Sequence, residues 1–199
     1  MQNIRDEIHK KLLKAGRALV CEKGADFLTA RKLSEASGCS IGTIYNQFSS
    51  MDDFVAEQNE QTLKELLKDM SDVQFGDDSY KNLNCLANVF AKFVLENRQL
   101  WFLLYNFHFK NGEYNFSRNY KKILVKVVNF ANRDFYNLFS KLDRQRKKTM
   151  RQVLLLALSG LSAVLISELM QKKSTISGQD LVQIFLNVFL AGTSVLEDI

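Results

Sequence analysis

Apolar residues recur at intervals of three and four along most of the chain, and no proline interrupts them. That spacing is the signature of helices with one buried face, and it predicts an all-α protein of about nine helices. The first spans roughly Ile4 to Lys23, with Ile8, Leu12, Ala15 and Leu19 facing inward and Lys10, Lys14 and Arg17 outward; Gly24 ends it. A fourth helix, about Met51 to Met70, has sparse apolar positions (Phe54, Leu63, Leu66, Leu67) and many acids, so it reads as a partly solvated connector. Ser50 is its expected cap, with Asp52 and Asp53 in the first turn. Val73 to Ser79 is the expected linker. Beyond it lie helices over about 82–96, 100–109, 116–142, 148–172 and, after Ser177-Gly178, to about Leu196, with a turn at Asn111-Gly112. The long 116–142 helix would bury Tyr120, Leu124, Val127, Val128, Ala131, Phe135, Leu138 and Phe139, and Lys172-Lys173 would close the next one favourably. The cluster Arg144 to Lys148 reads as a solvated connection.

Between the first and fourth helices, residues 29–48 describe two short helices meeting at a tight turn. Thr29 can cap the first, Leu33 faces inward, and Gly38 accepts the left-handed conformation that a helix stop favours. Ser40 can cap the second, where Ile44 and Phe48, four apart, share the buried side. At about 100° per residue, Gly42 and Asn46 fall opposite Ile44, with Thr43 and Tyr45 on the flanks. The outward surface then offers hydroxyls, an amide and bare backbone, as a helix laid in a DNA major groove requires.

The same residues carry a resemblance. Ser40-Ile-Gly-Thr-Ile-Tyr-Asn-Gln-Phe48, preceded by Thr29-Ala-Arg-Lys-Leu33 and followed by Ser50-Met-Asp-Asp-Phe54, resembles the DNA-binding domain of the TetR family of transcriptional repressors. The likeness covers roughly residues 4–56. It implies that Ile41, Gly42, Thr43 and Tyr45 read base edges, and that Thr29, Arg31, Tyr45, Asn46 and Gln47 contact phosphates, with Ser40 completing the DNA-binding set. The residues themselves agree in part: Gly42 permits close backbone approach, Thr43 offers a methyl and a hydroxyl, and Asn46 and Gln47 can bond bases or phosphates. The base contact of Ile41 rests on the resemblance. Where Met51 stands, the family often has a phosphate-gripping lysine.

Charge sharpens this division without deciding it. Residues 1–50 hold eight Lys/Arg against five Asp/Glu, residues 51–78 two against nine, and residues 111–150 ten against three. A mildly basic head suits phosphate contact, although many ordinary surfaces reach such a balance. Cys21, Cys39 and Cys85 form neither a zinc pattern nor a CxxC pair, and Cys39 reads as a buried thiol. The charged N-terminus lacks an apolar signal core, which predicts a cytoplasmic protein. The run Val153 to Ile166 is short of the ~20 residues that cross a bilayer, so a buried helix is expected there and no membrane partner.

In the body, Trp101, Phe102, Tyr105, His108 and Phe109 combine aromatic faces with polar tips, either as ordinary core or as a pocket for a small effector of unknown identity. Ala157, Gly160 and Ala163 make a small-residue stripe. As in the resembling family, the last two helices would then pair with a second copy through Ala157, Gly160, Leu161, Val164, Phe185 and Phe189; monomer core is the alternative. The basic segment Arg118 to Lys148 admits an anionic effector or a solvated face. The expected organisation is a helix-turn-helix head (1–50), a connecting helix (51–70) and an effector-binding, dimerising body (71–199). Catalysis is disfavoured: only His9 and His108 are present, with no glycine-rich phosphate loop, HExxH or nucleophile elbow, and no metal or cofactor is expected. The expected function is a homodimeric regulator, a repressor released from a palindromic DNA operator by its effector. The alternative is a helical adaptor or antirepressor of the same fold that has lost DNA binding.

Overall fold

A computed structural model describes residues 2–111, 116–167 and 176–196. Ten α-helices occur among them: α1 (Gln2–Lys23), α2 (Ala30–Ser37), α3 (Ile41–Gln47), α4 (Met51–Ser71), α5 (Ser79–Glu96), α6 (Arg98–Asn111), α7 (Arg118–Asn129), α8 (Asn132–Leu138), α9 (Arg144–Ile166) and α10 (Gly178–Val195). A 3₁₀ turn, Ala25–Phe27, follows α1, and no strand occurs among the described residues. Gly112 and Lys172-Lys173, for which a turn and a helix end were expected, lie outside the described residues, as does the side chain of Phe109.

The chain divides into two compact units, Met1–Lys64 with Asn97–Ile123, and Glu65–Glu96 with Leu124–Ile199. In the first, Leu12, Leu33, Ile44, Phe48 and Phe54 form a buried cluster, with Ile8, Leu13, Ala15, Cys39 and Met51 packed around it. Gly16 marks the tightest approach: a Cβ there would meet the Phe54 ring at 2.4 Å, so even alanine would force that ring to move. A second cluster joins Val20 of α1 to Leu100 and Leu103 of α6. Cys39 is half-buried rather than buried, its Sγ 3.9 Å from the Ser37 carbonyl oxygen.

Helix α4 is more deeply packed than its sparse apolar pattern suggested. Phe54, Gln58, Thr62, Leu66 and Met70, spaced by four, are all buried, and so is Asn59. Polar residues fill the middle of the stripe because they have bonding work there: Gln58 Nε2 donates to the Leu13 carbonyl (2.6 Å), Thr62 Oγ1 donates to the Gln58 carbonyl (3.1 Å), and Arg17 donates to Thr62 Oγ1 (3.2 Å). Buried polar groups with such partners are tolerated, and a purely apolar template misses them.

In the second unit α5 packs against α8, α9 and α10. Leu83, Leu86, Ala91, Phe93 and Val94 meet a core that includes Phe135, Leu154, Leu165, Val182, Leu186 and Leu190, all buried. Gly178 begins α10 where Leu165 and Leu95 would crowd any side chain, a Cβ there coming within 2.8 Å of Leu165. Asn82 pins the linker, donating to the Gly76 carbonyl (3.0 Å) and accepting from the Gly76 N–H (3.1 Å).

Two boundaries differ from expectation. The helix anticipated over 116–142 breaks at Phe130-Ala131, where the Phe130 N–H bonds back only three residues to Val127. Arg151 of α9 spans the break, donating to Asn129 Oδ1 (2.8 Å) and Asn132 Oδ1 (3.2 Å). Helix α9 also starts earlier than expected, because Asp143 caps it by accepting from the N–H groups of Gln145 and Arg146 (both 2.8 Å). Arg144 to Lys148 is therefore helix, not connection.

The buried helix expected over Val153–Ile166 is only partly so. Leu154, Ser162 and Leu165 are buried, but Leu156 is 74% exposed and Val153 and Val164 are also exposed. Among the described residues α9 is long and apolar enough to cross a membrane by length and composition, although one of its faces packs into the second unit.

Candidate nucleic-acid interface

The turn between α2 and α3 is specified by its caps. Thr29 Oγ1 accepts from the Lys32 N–H (3.2 Å) at the start of α2. Gly38 ends α2 at φ 67°, ψ 17°, the left-handed conformation, with its N–H on the Ser34 carbonyl (2.9 Å). Ser40 Oγ accepts from the Thr43 N–H (3.0 Å) and opens α3. Caps of this kind stabilise by about 0.5–2 kcal/mol each. Ile44 and Phe48 then anchor α3 from beneath, fully buried in the head cluster.

The opposite side of α3 is open. Ile41 and Tyr45 are 44% and 49% exposed, Gly42 and Asn46 are exposed, and Thr43 and Gln47 are half-buried. A Cβ on Gly42 would meet nothing closer than Ser40 Oγ at 3.7 Å, so the fold itself does not require glycine there. The Thr43 hydroxyl lies 2.9 Å from the Ser40 hydroxyl, which fixes its rotamer at the edge of the open face. Thus Thr29, Arg31, Ser40, Ile41, Gly42, Thr43, Tyr45, Asn46 and Gln47 all belong to α2, α3 and their two caps. The open strip comprises Ile41, Gly42, Tyr45 and Asn46.

Arg31 is exposed and paired with Glu35 (3.2 Å), which also accepts from Lys32 Nζ (2.8 Å). The Lys32 bond first, and Arg31 with it, holds the Glu35 carboxyl below the usual carboxylate range. Exposed pairs of this kind contribute little, so Arg31 can exchange Glu35 for a phosphate at small cost. Met51 does not stand free as a phosphate-gripping lysine would; it packs half-buried against the head cluster.

Two residues that sequence reasoning missed lie close to this surface. Arg5 of α1 reaches the last turn of α3, its guanidinium 3.5 Å from the Asn46 carbonyl oxygen. His9 stacks on Phe48 (centroids 4.6 Å apart) and bonds Glu57 through Nε2 (2.8 Å). The Arg5–Asn46 and His9–Glu57 contacts join residues 41 and 48 apart in sequence, which no local pattern signals.

Of the expected pocket residues, Trp101 is buried and Phe102, Tyr105 and His108 are half-buried, all on α6. His108 Nε2 lies 2.8 Å from the Tyr120 hydroxyl, and Phe116 stacks on Tyr120 with centroids 4.8 Å apart. Burial pushes the His108 imidazole below its usual range and the Tyr120 phenol above its own, so both are neutral at pH 7. Of the expected interface residues, Gly160 and Val164 are exposed, and Ala157, Leu161, Phe185 and Phe189 are half-buried.

Residues 12–57 match the family model described as bacterial regulatory proteins, tetR family. A search of curated protein sequences finds no match. Among solved structures, a protein of unknown function from Rhodococcus sp. RHA1 superposes with a TM-score of 0.72 at 14% identity, over 93% of this chain and 94% of that one. A tetR-family transcriptional regulator from Streptomyces coelicolor gives 0.70 at 12% identity, over 96% and 82%. The fatty acid degradation regulator of Bacillus halodurans gives 0.64 at 16% identity, over 92% and 94%. At these identities the superpositions show a shared fold.

Proposed function

We propose that this chain, a tetR-family protein by its N-terminal domain, is a cytoplasmic homodimeric repressor that binds a palindromic DNA operator and is released by a small effector. The observation that carries the reading is the open face of α3: Gly42, Tyr45 and Asn46 outward, Ile44 and Phe48 locked inward. A helix so anchored can enter a major groove without unfolding anything. Residues 1–50 would read DNA, and 71–199 would bind the effector and dimerise. Base edges fall to Ile41, Gly42, Thr43 and Tyr45; phosphates fall to Thr29, Arg31, Tyr45, Asn46 and Gln47, with Arg5 an addition.

Dimerisation is supported by apolar surface that one copy leaves bare. Val153, Leu156 and Val164 on α9 and Ile184, Val188 and Val195 on α10 are all exposed, at helical spacing. Gly160 and Gly192 have open space where a Cβ would stand, room for another helix to approach. A four-helix bundle made with a second copy would cover both stripes. The effector reading rests on the half-buried aromatic group around His108 and Tyr120. An effector that binds better to one arrangement of the two heads shifts operator affinity by its differential affinity for the two states. No catalytic role is assigned.

Selection from a random duplex DNA pool, with binding repeated at two salt concentrations, tests the proposal. An enriched palindrome with steep salt weakening is the expected result. Absence of enrichment would favour the adaptor reading, which Met51 supports by packing into the head where a phosphate-gripping lysine would stand free.

A further inference from the structure

The first turns of α9 run against the usual charge preference of a helix start. Arg144, Arg146, Lys147 and Lys148 stand at the positive end of the macrodipole, and the first turn holds no acid. Each cation so placed is disfavoured by the macrodipole. The capping Asp143 carboxylate is occupied by the Gln145 and Arg146 N–H groups and lies 3.6 Å from Arg146 Nε.

The other cations surround a recess of about 840 Å³, lined by Tyr136, Arg144, Gln145, Lys147, Lys148 and Arg151, with no carboxylate among them. That volume lies within the range of small-molecule sites. Arg151 is held rigidly: it donates to Asn129 and Asn132 across the α7–α8 break, while its Nε is buried without a hydrogen-bond partner. Lys147 Nζ is tethered to the Ser140 carbonyl (3.0 Å), and Arg144 and Lys148 are exposed.

We infer that this recess binds a small molecule bearing two or more phosphate groups. Four cations line it, and no acid is among its lining residues. A phosphate ester carries about −1.5 to −2 charges, so two such groups match the lining, whereas a single carboxylate leaves most of the repulsion in place. Arginine forks suit phosphate oxygens, and the Tyr136 hydroxyl and Gln145 amide are further donors. The site belongs to the second unit alone, so it stands or falls independently of operator binding.

Titration calorimetry of the full chain with inorganic tripolyphosphate tests this. One saturable site per chain is expected, weakened about tenfold or more (about 1.4 kcal/mol) by Arg144→Gln with Lys148→Gln. The charge-matched control, Lys121→Gln with Lys122→Gln on the exposed side of α7, should bind as the parent does. Should the double variant lose its helical circular dichroism, Lys148→Gln alone serves. Equal weakening in both pairs, several weak sites per chain, or no saturable binding would overturn the inference. So would capture by anionic vesicles that tripolyphosphate fails to displace.

Discussion

The outer face of α3 and the outer faces of α9 and α10 are both exposed helix surface, yet they differ in kind. The first is mixed, with Gly42 and Asn46 beside the exposed Ile41 and Tyr45, while Ile44 and Phe48 turn into a cluster that the chain completes by itself. The second exposes Leu156 and Val188 at 74% and 68%, and none of the described residues covers them. A face with backbone, amide and phenol groups open to water is free to exchange solvent for phosphate and base edges. An apolar open face is a standing cost that a partner relieves. The core of the head is thus completed by the chain's own helices, whereas α9 and α10 leave large apolar side chains exposed.

The largest effect should come from breaking the second surface. Leu156→Asp with Val188→Asp would put charges where an interface core belongs, and buried unpaired charge is not tolerated there. Loss of dimer in sedimentation at micromolar concentration is expected, with operator affinity falling by about 2–4 kcal/mol as the paired heads separate. Helical content should be retained, because both side chains are exposed in the single chain. A variant that remains dimeric with native affinity would remove α9 and α10 from the interface.

Next comes Tyr45→Ala on the first surface. Tyr45 is half exposed and lies outside the head cluster, so its loss should spare folding and dimer alike. Operator binding should weaken by about 1–3 kcal/mol, the usual scale for a lost contact in such interfaces. If the salt slope falls by about one as well, Tyr45 works through phosphate; if the slope is unchanged and sequence preference relaxes, it reads a base.

How much of this was legible beforehand divides along the same line. The head was readable because its signals are local: Thr29, Gly38 and Ser40 each act within four residues, and Ile44 and Phe48 declare the inner face. The caps and the left-handed glycine stand where the pattern put them. What escaped notice depends on distant partners. Gln58 and Thr62 look like solvent-facing residues of α4 until the Leu13 carbonyl and Arg17 are brought to them. The break at Phe130-Ala131 has no glycine or proline to announce it, and Arg151, some twenty residues on, bridges it. The start of α9 was missed because five consecutive polar and basic residues resemble a linker, and only the Asp143 cap makes them helical. On α9 the apolar run was recognised, but periodicity cannot tell a face covered by its own chain from one left for another.

Gly42→Ala gives the smallest change and separates folding from function most cleanly. In a helix, replacing glycine by alanine at a compatible site stabilises by about 0.4–1 kcal/mol, mainly by restricting the unfolded chain. Gly42 is compatible: its backbone is helical, and the added methyl would lie 3.7 Å from Ser40 Oγ, an ordinary contact. Thermal stability should therefore rise by a few degrees. If the bare backbone of α3 lies against the groove floor, that same methyl displaces the helix outward, and affinity falls while stability climbs. The opposed signs matter more than either size, since a merely destabilising substitution cannot produce them. Higher stability with unchanged affinity would instead mean that α3 sits farther from the bases at Gly42 than its open strip suggests, leaving Tyr45 and Asn46 to carry recognition.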